Sequence, residues 1–150
     1  MTDMIARPAI DLDALRAYFE RQDDVLFALL FGSQARGTAG PLSDVDVAVM
    51  LPVELDPDAR FRRRLGLMVD LSRVLETDDV DVAILNDVPI MLGYRIFRDG
   101  ILLGCRDRRA FVRAKATTVV EYLDFLPLAE RNTKTFFHRA ARGVFPRGPG

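Results

Sequence analysis

The stretch Leu29-Leu30-Phe31-Gly32-Ser33-Gln34-Ala35-Arg36-Gly37, followed by Ser43-Asp44-Val45-Asp46-Val47-Ala48-Val49, constrains this chain more than any other. An apolar run that ends in Gly32-Ser33 lets backbone N–H groups come close to an anion at the start of a short helix, because one residue has no side chain and the next a small hydroxyl. Asp44 and Asp46 then open a second strand at i and i+2. Side chains alternate across a strand, so the two carboxylates share one face while Val45, Val47 and Val49 take the other and can be buried. At about 5 Å and an effective dielectric near 20 the carboxylates repel by about 3 kcal/mol, so a divalent cation is expected to hold the pair ionised. Oxygen-only ligands suit magnesium. The stretch therefore reads as a phosphate and metal site. It is not a P-loop, since no Gly-Lys-Ser/Thr follows, nor the Gly-x-Gly-x-x-Gly of dinucleotide binders.

The rest of the chain reads as alternating elements. Asp11 caps a first helix with Leu12, Leu15 and Phe19 on one face, ending near Gln22. Val25 to Phe31 is apolar on both faces, as a central strand covered on both sides would be. A short helix over Ser33 to Arg36 and the breakers Gly37, Gly40 and Pro41 precede the strand from Asp44 to Met50. Asp58 to Leu75 is expected to form a long helix with Phe61, Leu65, Met68, Val69, Ser72 and Leu75 toward the core. Arg60, Arg62, Arg63 and Arg64 near its start read as a solvated face, although cations there oppose the helix dipole and call for partners. Val80 to Leu85 alternates, placing Asp79, Asp81 and Ala83 on one face; parity does not choose between the two carboxylates. A helix from Pro89 to Asp99, closed by Gly100, leads to a short strand over Ile101 to Leu103 at a sheet edge. From Asp107 a helix runs toward Phe125, with Phe111, Val112, Val119, Tyr122, Leu123 and Phe125 available for burial. Pro127 kinks or ends it, and a further helical stretch over Leu128 to Arg142 precedes a tail, 143–150, expected to fray.

With 150 residues, 49% of them hydrophobic, the chain suits one domain over 1–150. Its core spans about 10–125, with a C-terminal helical extension over about 106–142. One cysteine, Cys105, excludes an internal disulfide and is expected in the core; one histidine, His138, leaves no Cys/His cluster for zinc. A cytoplasmic location is the expectation, as no apolar run is long enough to span a membrane and no signal peptide is evident. Net charge is −1, but residues 1–105 carry 11 Lys/Arg against 18 Asp/Glu, and residues 106–150 carry 10 against 4. An acidic front suits a metal site, and a basic end suits an acidic partner or phosphates, with a solvated helix surface as the plainer alternative.

Gly-Ser-x-Ala-Arg-Gly followed by Ser-Asp-x-Asp-x-x-Val resembles the signature of the minimal nucleotidyltransferases, the smallest members of the DNA polymerase β-like superfamily. It is most similar to the antitoxin subgroup of the HEPN–MNT toxin–antitoxin pairs. The resemblance implies an α/β (α+β) fold with a small central mixed sheet flanked by helices. It also implies a third carboxylate in an apolar-Asp-apolar setting, which Asp81 matches and Asp79 does not. By that resemblance Asp44, Asp46 and Asp81 are the catalytic and metal-binding residues for two Mg²⁺ ions. Gly32, Ser33 and Arg36 would bind the nucleotide, ATP, though Arg36 reads equally as a solvated or structural residue.

After the core only a few dozen residues remain, so the acceptor half of the site is expected from another molecule. In the antitoxin subgroup that molecule is a HEPN-type RNase toxin whose tyrosine receives AMP and which is thereby silenced. A hetero-oligomer with such a toxin follows as the expected partnership, with direct nucleic-acid binding not expected. A non-catalytic antitoxin acting by binding alone, or a stand-alone adenylyltransferase acting on a small alcohol, are the alternatives the sequence leaves open.

Overall fold

The computed structural model describes residues 10–37 and 44–141, and side chains within them as far as Pro127. Helix α1 (Leu12–Glu20) begins where the Asp11 carboxylate accepts the Ala14 N–H at 3.0 Å, a cap for an otherwise unpaired donor. It buries Leu15, Tyr18 and Phe19. Strand β1 (Phe27–Phe31) follows and leads into the one-turn helix α2 (Ser33–Arg36). Strand β2 (Val45–Met50) and helix α3 (Pro57–Leu75) come next. Helix α3 starts with Pro57 at its first position and Asp56 as cap, accepting from Ala59 N at 2.8 Å. Strand β3 (Val80–Ile84), helix α4 (Ile90–Asp99), strand β4 (Ile101–Cys105) and helix α5 (Arg108–Ala141) complete the described chain.

The four strands lie in the order β3-β2-β1-β4. β1 runs antiparallel to β2, with Phe31 opposite Asp46, and antiparallel to β4, with Leu30 opposite Ile101. β2 and β3 are parallel, with Asp46 beside Asp81. This is the small mixed sheet flanked by helices that the sequence implies. Its central strand β1 feeds both cores: Ala28 and Leu30 pack with Val45, Val47 and Val49 under α1 and α3, and Phe27 and Leu29 pack with Ile96 and Phe97 of α4 on the other face. Phe111 of α5 closes that second core edge-on against Phe27, ring centres 5.1 Å apart. No described helix is long and apolar enough to cross a membrane.

Four expectations are corrected. Phe61, Leu65 and Val69 lie on the outer face of α3, while Leu67 and Leu71 are its buried residues. The cause is the arginine run, whose members are not solvated as a set. Arg60 pairs with Asp87, Arg63 with Asp24, and Arg64 with Asp81. These partners turn the arginine side inward and the Phe61 stripe outward. Cys105 is exposed rather than in the core, because it ends the edge strand β4. On α5, Val112 and Leu123 are exposed, since the helix presents Phe111 and Ala114 to the sheet instead. Helix α5 also continues through Pro127 rather than ending there. The tail expected over 143–150 lies outside the described residues.

Candidate active site

The carboxylates meet at one end of the sheet. Strand β2 buries Val45, Val47 and Val49 on the α1/α3 face, so Asp46 projects from the opposite face. The parallel pairing sets Asp81 directly beside it. Asp44 stands just before β2, exposed. Asp79 lies ahead of β3, where its carbonyl accepts the Val45 N–H at 2.8 Å. Asp81, not Asp79, is therefore the residue in register with Asp46.

Gly32 closes the other side of Asp46. Its φ of 74° and ψ of −157° belong to a region that L side chains avoid, and a Cβ there would lie 2.5 Å from Asp46 Oδ2. The sequence needs glycine at this point for two separate reasons, backbone conformation and space for the carboxylate. Ser33 is the first residue of α2 and half-buried, and Arg36, its last, is exposed.

Charge is concentrated here. Burial raises the Asp46 carboxyl above its ordinary value, the neighbouring Asp81 and Asp44 raise it further, and Arg36 opposes them. Asp81 has its own counter-ion. Arg64 on α3 reaches round the open edge of β3, donating Nε to the Val82 carbonyl at 2.6 Å and Nη2 to Asp81 Oδ1 at 2.9 Å. Sequence reasoning missed Arg64. The only signal was the mismatch between four arginines and the dipole of the helix start.

Among the described residues no three Asp, Glu, His or Cys side chains stand as a ready metal cage. Asp81 is drawn toward Arg64, and Asp44 extends into solvent. The donor set still fits magnesium, being oxygen only, with Asp46 and Asp81 adjacent on one face and a glycine beside them leaving room at Oδ2.

A mixed sheet in which one strand ends in Gly-Ser and the next two strands across the sheet carry aspartates side by side is the arrangement of a nucleotidyl-transferring domain. The chain belongs to the polymerase beta nucleotidyltransferase family, whose model matches residues 13–109. No curated protein matches it. Among solved structures it is similar to a chain of a toxin–antitoxin complex with AMP-PNP, at 22% identity and a TM-score of 0.67, covering 83% of this chain and 98% of that one. It is also similar to a chain of the Shewanella oneidensis complex of a tri-AMPylated HEPN toxin with an MNT antitoxin. There the identity is 18% and the TM-score 0.63, over 85% of this chain and 99% of that one. An MntA–HepT toxin–antitoxin complex matches at 18% identity with the same score and coverage. At these identities the likeness is one of fold.

Proposed function

We propose that this chain is an antitoxin nucleotidyltransferase that moves AMP from ATP to a tyrosine of a cognate HEPN-type RNase toxin and so neutralises it. The observation that carries the reading is Asp46, paired in register with Asp81 and accommodated by Gly32. Family membership supports nucleotidyl transfer, and the fold shared with toxin–antitoxin complexes, one with AMP-PNP and one with an AMPylated toxin, supports the partner.

In the transfer the acceptor oxygen bonds to the α-phosphorus, the bond from that phosphorus to the bridging oxygen breaks, and pyrophosphate leaves. Asp44, Asp46 and Asp81 would hold the magnesium ions, whose charge offsets that developing on the phosphates. Asp81, on the edge strand and half-exposed, would take the proton from the incoming hydroxyl. Gly32 and Ser33 would receive the terminal phosphates, and Arg36 would add positive charge beside Asp46.

Incubation with ATP, magnesium and the cognate toxin tests this by intact-mass spectrometry. The expected result is AMP on a toxin tyrosine and loss of RNase activity. A toxin neutralised yet unmodified would establish an antitoxin that acts by binding, and AMP on a small alcohol but never on protein would establish a stand-alone enzyme.

A further inference from the structure

We infer that the cavity between α2, α4 and α5 is a polyphosphate-binding site, formed by Arg36, Arg95 and Arg98 and seated beside the carboxylate centre. That polyphosphates bind there rests on the cavity alone; that the ligand in turnover is the released pyrophosphate rests on the proposed function.

The cavity encloses about 400 Å³. Three guanidinium groups and one carboxylate, Asp99, line it, with Tyr94 and Tyr122 as its aromatic wall. Asp99 is already engaged: Arg98 holds it through Nε and Nη2 at 2.9 and 2.8 Å, which keeps its carboxyl below the usual range. Arg36 and Arg95 have no hydrogen-bond or ion-pair partner among the described residues. Two cations on two different elements, neither held in a hydrogen bond or ion pair among the described residues, thus face one cavity. A guanidinium is a planar fork suited to phosphate, and two such forks apart from each other suit an anion with more than one phosphate group.

The wall holds the third cation, Arg98, in place. Tyr94 of α4 stacks on Tyr122 of α5 at 3.7 Å and 15°, tying the two helices together. Arg98 sits over the Tyr94 ring at 5.7 Å, so its guanidinium is fixed by both the ring and Asp99.

Position connects the cavity to the reaction. The last turn of α4 runs into β4, whose Ile101 lies opposite Leu30, two residues before Gly32. The helix covers the Phe27/Leu29 face of the sheet, the face from which Asp46 projects. Arg36 stands between the two: its charge acts on Asp46 on one side and on Asp99 on the other.

Isothermal titration of the metal-free protein, in chelator, with inorganic pyrophosphate and triphosphate tests the site without any transfer. Wild type is expected to bind both, triphosphate more tightly. Arg95→Ala, at an exposed helix position, is expected to weaken binding at least about tenfold with its melting curve unchanged. Absence of metal-free binding, or binding indifferent to Arg95→Ala, overturns the site. So does binding of a glutamate-rich peptide but not of pyrophosphate, which would make the cavity a contact for an acidic protein segment. If Arg95-dependent binding appears while no AMP transfer is ever found, the site stands and the proposed function falls. If transfer proceeds and pyrophosphate inhibits wild type and Arg95→Ala equally, the link to the leaving group is overturned.

Discussion

Arg64 holds Asp81 by a 2.9 Å ion pair while its own Nε is anchored on the main chain of the next residue, the Val82 carbonyl. The carboxylate is thus fixed by a cation that any metal ion must displace or share. Arg64→Gln is expected to raise divalent-ion affinity roughly two- to fivefold, by removing the competing cation, and to lower AMP transfer about tenfold, by freeing Asp81 to rotate. Manganese binding followed by electron paramagnetic resonance reads the first effect, and single-turnover AMP incorporation the second. Stability should change by no more than about 1 kcal/mol, since both side chains reach solvent. Weaker metal binding in the variant would show that Arg64 is not a competitor.

Two glycines with the same φ separate strain from space. Gly32 and Gly37 both have φ of 74°, but a Cβ on Gly32 meets Asp46 Oδ2 whereas one on Gly37 meets nothing within 4 Å. Gly37→Ala should cost about 1 kcal/mol of backbone strain and leave nucleotide binding in place. Gly32→Ala should cost more, about 2 kcal/mol, and abolish magnesium-dependent ATP binding because Asp46 must move. Chemical denaturation and ATP titration of both variants check this. Equal binding defects in the two would assign the effect to α2 rather than to Asp46.

Folding raises the Asp46 carboxyl above its ordinary value, by burial first and by Asp81 and Asp44 next. The sign follows: a group whose pKa is higher in the folded state favours folding when protonated. Its charged form costs stability above the folded pKa, and that cost is relieved as pH falls through it. The metal-free protein should therefore gain stability from Asp46 between neutral pH and the mildly acidic range. Asp46→Asn should melt a few degrees higher than wild type at pH 7, lose that advantage toward pH 4, and show no AMP transfer. Asp81→Asn should retain most magnesium-dependent ATP binding while turnover falls by about 10² to 10⁴. Melting curves across pH and labelled-AMP incorporation provide the checks. Normal transfer by Asp46→Asn would remove the carboxylate assignment.

What the sequence disclosed and what it hid divide along the range of the interactions. β1 and β2 were legible because an apolar run and an alternating run are local patterns, and the Gly32 turn because glycine marks it. The outward face of α3 was not: Phe61, Leu65 and Val69 form a helical stripe on paper, yet they lie outside. What turns the helix is Arg63 reaching Asp24, 39 residues back, and Arg64 reaching Asp81, 17 residues on. No window along the chain contains both ends of such pairs. Arg95 was missed for the same reason, since it meets Arg36, which the motif had marked, only through the fold.

Asn86 provides a last contrast, at the far end of the sheet from the carboxylates. Its side chain accepts the Leu51 N–H at 3.0 Å and donates to the Leu51 carbonyl at 2.9 Å, extending the β2–β3 ladder by one amide where the strands have ended. Leu51 is fully buried, so its main chain has no ready access to water in place of that amide. Asn86→Ala should cost about 2–4 kcal/mol, the sum of two lost bonds with their partners left unpaired. Asn86→Asp should be as damaging or worse, because a carboxylate still accepts from the N–H but faces the carbonyl with an oxygen in place of a donor. Urea denaturation measures the loss. AMP transfer by the folded fraction should stay near wild type, as neither Asp46 nor Asp81 rests on this contact. A variant as stable as wild type would mean that water replaces the amide, and an inactive but stable one would mean that the two ends of the sheet are coupled.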